Sequence, residues 1–145
     1  MTDMADELIN WQAFAETRAL LGGGFVRVLG YFREDGMKSV AAIEEAMRLS
    51  DSAKLVLPAH TLKGEAWQFG AGKLATLCEE LEVSARRYVE MRQDPSDLVE
   101  KIVKLRPLFE TTLDMLEREI SPLVERRPHQ FAQAGMFGNA QFGRA

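Results

Sequence analysis

A histidine, a lysine and a glycine stand close together in the stretch Ala59-His60-Thr61-Leu62-Lys63-Gly64. An imidazole nitrogen is a good nucleophile near neutral pH, because the free ring titrates at about 6.5. A lysine beside it brings positive charge, which suits an incoming phosphoryl group, since phosphoryl transfer rests mostly on positioning and electrostatics. Glycine is a poor helix residue, so its presence where no turn is needed hints at a steric demand. Here that demand is room for a second protein to approach the histidine. Each helical residue advances about 100°, which puts Gly64 about 40° and Trp67 about 20° from His60, with Lys63 flanking the same face. Leu55, Leu62, Ala66 and Phe69 fall on the opposite side and form the buried face, so His60 points to solvent. Spacing alone does not separate this reading from a bland one, in which His60 is a surface histidine, Gly64 serves helix packing and Lys63 is a solvated base.

These residues need a helix to hold them, and helix-period patterning dominates the chain. Five helical segments are predicted. The first runs from about Asp6 to Arg18 and is broken by Gly22-Gly23-Gly24. The second spans about Phe25 to Leu49, with Gly36 inside it as a weak point. Ser50-Asp51-Ser52 is a turn with N-cap chemistry for the third, about Ser52 to Phe69, in which Pro58 predicts a kink or a late start. Gly70-Ala71-Gly72 ends it, and the fourth covers about Ala71 to Arg92. The fifth runs from about Ser96 to Glu119, with Pro107 inside as a kink point. Long amphipathic helices on short turns predict an all-α, antiparallel up-down four-helix bundle with a short extra N-terminal helix. The bundle occupies residues 1–121; residues 122–145, rich in Gly and Gln with no helical period, read as a flexible C-terminal tail.

Composition narrows the function. With 145 residues the chain suits one domain with a real core. The net charge of −4, from 22 acidic and 18 basic residues, argues against a nucleic-acid binder held by phosphate contacts. No apolar run approaches the ~20 residues of a membrane span, and the acidic N-terminus shows no secretory signal, so a cytoplasmic protein is expected. One cysteine and two histidines exclude an internal disulfide and a dedicated zinc cage. Cys78 is read as a core residue. The Gly22–Gly24 run lacks the Lys-Ser or Lys-Thr of a phosphate-binding loop. A bundle with complete amphipathic faces is most simply a monomer.

The stretch Ala59 to Glu82, AHTLKGEAWQFGAGKLATLCEELE, resembles the signature of histidine-containing phosphotransfer (HPt) domains. The matches are His60, Lys63 and Gly64, the helix-ending Gly70 with Ala71, and then Leu74, Cys78, Leu81 and Glu82. The resemblance covers about Leu20 to Leu116, with Phe32, Ile43, Ala46 and the Asp51 turn in register. It implies a four-helix bundle with His60 exposed midway along one helix and phosphorylated there. Such a protein is a phosphorelay intermediate of two-component signal transduction: it accepts a phosphoryl group from a receiver-domain aspartate and passes it to another receiver. It has no ATP-dependent kinase activity and no cofactor of its own. Its partners are response-regulator receiver domains and hybrid histidine kinases, and the receiver supplies Mg²⁺. Glu82 matches the Gln or Glu that hydrogen-bonds the active imidazole, and Arg86 matches a basic residue that some relatives carry near the phosphate.

Three positions depart from that pattern. Glu65 stands where a small residue, often Ser, is usual; at about 140° from His60 it should alter packing or pairing more than chemistry. Trp67 replaces a small residue on the His60 face and, with Val56, offers an apolar anchor for a docking partner. Pro58, two residues before His60, can tilt the helix. The competing function is an adaptor that docks receivers or kinases without carrying phosphate, against which the intact His60, Lys63 and Gly64 count.

Overall fold

A computed structural model describes residues 7–120; the expected tail, residues 122–145, lies outside them, as does Asp6. Helix α1 is Trp11–Leu21, starting and ending later than predicted. The Asn10 side-chain carbonyl accepts from the backbone N–H groups of Gln12 and Ala13 at 3.0 and 3.1 Å, which fixes the first turn at Trp11. Gly22, at φ 55°, stops it, and Gly22–Gly24 make a 3₁₀ turn.

Helix α2, Phe25–Arg48, runs unbroken through Gly36. The reason for that glycine is packing: a Cβ there would lie 2.4 Å from Phe109 Cε1. Helix α3, Ala53–Gln68, neither starts late nor stops at Pro58, which merely withholds one backbone donor from the Lys54 carbonyl. Asp51 Oδ1 accepts from the Lys54 N–H at 3.2 Å, while the Ser52 hydroxyl is used elsewhere, donating to the Gln93 carbonyl at 2.7 Å. Gly70, at φ 77°, then turns the chain. The Ala71 N–H reaches back to the Ala66 carbonyl, and Gly70 approaches Asn10 so closely that a Cβ would sit 2.6 Å from its carbonyl oxygen.

Helix α4, Gly72–Glu90, follows. The predicted fifth helix is in fact three pieces: a 3₁₀ turn at Ser96–Leu98, a short α5 at Val99–Ile102, and α6 at Leu105–Ile120. Pro107 explains the restart. Within a continuous helix its missing N–H would leave the Val103 carbonyl without a partner; in the first turn of α6 no such donor is needed.

The bundle is antiparallel, as predicted. Arg33 of α2 grips Glu117 of α6 through two bonds, 2.7 and 2.6 Å, and Glu44 of α2 takes Arg106 of α6 at 3.0 and 2.8 Å, so the two helices run in opposite directions. Helix α3 lies between α2 and α4, and α6 closes the bundle against both. A relay of rings ties α1 into it: Trp11–Phe14, Phe14–Phe25, Phe25–Phe69, Phe32–Phe69 and Phe32–Phe109, at centroid distances of 5.1 to 5.7 Å. Such pairs contribute about 0.5–1.5 kcal/mol each beyond area burial. No helix among the described residues is long and apolar enough to cross a membrane.

Candidate functional site

Helix α3 buries Leu55, Ala59, Leu62 and Ala66 completely, and this locks its rotation. The opposite face then carries His60, whose side chain is 56% exposed. Across from it α4 buries Leu74, Cys78, Leu81 and Ala85, which sets Glu82 at the seam between the two helices. Its side chain is only 8% exposed.

Glu82 gathers the predicted charged residues. His60 Nδ1 lies 3.0 Å from Glu82 Oε2. Arg86, one turn along α4, donates from Nε and Nη2 to the same oxygen at 3.2 and 2.9 Å. Lys63 Nζ sits 2.9 Å from the other oxygen, Oε1. Burial pushes the Glu82 carboxyl up, but hydrogen bonds from Lys63, Arg86 and His60, with the Lys63 charge, outweigh it and hold the group at about 2. It is a carboxylate at any physiological pH. A carboxylate can only accept, so His60 Nδ1 carries the proton, which in the neutral ring leaves the lone pair on Nε2. With one carboxylate and two cations the cluster bears a net positive charge beside an exposed nucleophilic nitrogen.

Gly64 lies on the same exposed face, and a Cβ there would meet nothing within 4 Å. Its absence therefore empties space in front of the helix rather than relieving an internal contact. The remaining predicted residues stand apart from the hydrogen-bonded cluster. Trp67 is 52% exposed and leans toward the start of α4, its ring 3.8 Å from where a Gly72 Cβ would be. Val56, expected as an exposed anchor, is half-buried and packs against the core. Leu57 holds the exposed position instead, at 71%, and Val83 beside Glu82 is 55% exposed. Sequence reasoning missed both; the available signal was an apolar side chain off the core stripe within a turn of His60 or Glu82. Cys78 is fully buried, and burial pushes its thiol up to about 12 against the pull of Lys63, so it serves packing. No group of three or more metal-ligating side chains occurs among the described residues.

The geometry supplies a nucleophile with one nitrogen tethered and the other open, cations to receive an anion, and an apolar surround. The family model described as the Hpt domain matches residues 27–120. The crystal structure of histidine-containing phosphotransfer protein B (HptB) from Pseudomonas aeruginosa PAO1 superposes with a TM-score of 0.69 at 24% identity, covering 79% of this chain and 95% of that one. That likeness speaks for the fold. The comparison with curated proteins finds no match.

Proposed function

The chain belongs to the Hpt domain family, the histidine phosphotransfer proteins of two-component signalling, and on that footing we propose that it is a phosphorelay intermediate carrying its phosphoryl group on His60. The observation that carries the reading is the exposed His60 ring whose Nδ1 is held 3.0 Å from the buried Glu82 carboxylate.

The Nε2 lone pair attacks the phosphorus of a receiver's aspartyl phosphate. The P–N bond forms as the P–O bond to the aspartate breaks, and the aspartate leaves as a free carboxylate. The ring, still protonated at Nδ1, becomes positively charged, and Glu82 faces that new charge at hydrogen-bond distance. Transfer onward to a second receiver is the same step reversed. Arg86 and Lys63 lie close enough to offer positive charge to phosphoryl oxygens, and Gly64 leaves the approach open. Docking uses the apolar surround of Leu57, Val83 and Trp67; half-buried Val56 supports it from beneath. Mg²⁺ comes with the receiver's own acidic pocket, and the chain acts as a cytoplasmic monomeric carrier without kinase activity toward ATP.

The test is incubation with a radiolabelled phosphorylated receiver. Acid-labile, alkali-stable label should appear on the wild type and vanish in His60→Gln. Failure to label with a panel of receivers that nonetheless bind would favour the adaptor.

A further inference from the structure

Glu65 follows Gly64 on α3 but faces the other way, toward α2. Its Oε1 is buried and has no hydrogen-bond partner, and the charge that acts on it is another acid, Asp35 of α2. No ion pair among the described residues reaches it. The elements packed against α3 explain why. On α4, Glu82 is engaged with His60 and Lys63, and Arg86 is engaged with Glu82. Helix α1 meets the end of α3 through the Thr17 hydroxyl, which donates to the Gln68 carbonyl. On the α2 side Asp35 acts on it as a repulsive carboxylate.

A half-buried carboxylate with an orphaned oxygen beside a like charge is costly, and the cheapest remedy is a proton. We propose that Glu65 is a proton-binding site in the seam between α2 and α3, carried as the neutral acid, and that its ionisation weakens that seam. Burial, and then Asp35, raise its carboxyl to about 7, so the change falls in the physiological range. The sign follows from linkage. A carboxyl that holds its proton more tightly when folded than when unfolded stabilises the fold below the unfolded value of 4.5, and that stability is lost as pH rises through about 7. The site is independent of phosphotransfer, so it can fail without touching the role of His60.

Carbon-13 NMR of the Glu65 side-chain carboxyl in the wild-type protein reads the titration directly. A midpoint near 7 is expected. In Asp35→Asn, where an exposed residue is changed, the midpoint should fall. Thermal melts should show Glu65→Gln more stable than wild type at pH 8 and flatter between pH 5 and 8. A wild-type midpoint in the ordinary carboxylate range, or one that Asp35→Asn leaves unmoved, would overturn the proposal, as would parallel melting curves for wild type and Glu65→Gln.

Discussion

Glu82 places one oxygen against Lys63 and the other against His60 and Arg86, and it is the only one of the four that is buried. Replacing it by Gln keeps the size but removes the charge that two cations and a developing imidazolium need. A hydrogen bond to a charged group contributes roughly 1.5–3 kcal/mol against about 1 for a neutral one, so acceptance of phosphate by Glu82→Gln should slow about tenfold in a stopped-flow assay with a phosphorylated receiver. Stability carries a second signature. The Glu82 carboxyl is held at about 2, below its ordinary 4.5, so its contribution is complete above 4.5 and is lost as pH falls toward 2. Acid melts of wild type should show that loss and those of Glu82→Gln should lack it. The shared outer face of His60, Lys63 and Gly64 was legible from the helical period, whereas Glu82, on the next helix, came only from the resemblance to HPt domains. Val56 was not, since whether a residue beside the chemistry is covered depends on a neighbouring helix, and here the core takes Val56 and leaves Leu57 outside.

Two glycines inside helices show what an element's pattern reveals and what it hides. Gly36 in α2 and Gly64 in α3 look alike in sequence, each a weak helix former with no turn to make. In the fold Gly36 lies under Phe109, whereas Gly64 faces open space. Alanine at Gly36 should therefore destabilise the protein, by about 1–3 kcal/mol of overpacking. Alanine at Gly64 should stabilise it by about 0.5–1 kcal/mol through helix propensity, yet slow phosphotransfer by narrowing the approach to His60. Chemical denaturation alongside transfer kinetics checks both; a faster or unchanged transfer in a stabilised Gly64→Ala would remove the steric role. The same limit explains the helix boundaries. The start of α1 depends on the Asn10 cap and its tie to Gly70, a contact between residues far apart in sequence. The division of the last helix depends on which of two outcomes Pro107 selects, a kink or a new first turn, and tertiary packing decides that.

For the whole molecule, the bundle turns one face of α3 into core and leaves the other as a working surface. Long-range pairs such as Arg33 with Glu117 and Arg106 with Glu44 fasten α6 to α2 away from that surface. Glu82 and Glu65 act on stability from opposite sides: Glu82 stabilises the fold above the acid range, and Glu65 stabilises it below neutrality. The antiparallel architecture was legible because amphipathic stripes and short turns leave few arrangements. The proton site at Glu65 was not, because it depends on burial in the fold and then on Asp35 of another helix. The central claim is that this scaffold tethers one nitrogen of His60 and offers the other for phosphorylation. Nitrogen-15 and phosphorus-31 NMR of the phosphorylated, ¹⁵N-labelled protein measures this directly. Phosphorus coupled to His60 Nε2, with a proton retained on Nδ1 toward Glu82, is the result expected; phosphorus on Nδ1, or on any other residue, would contradict it.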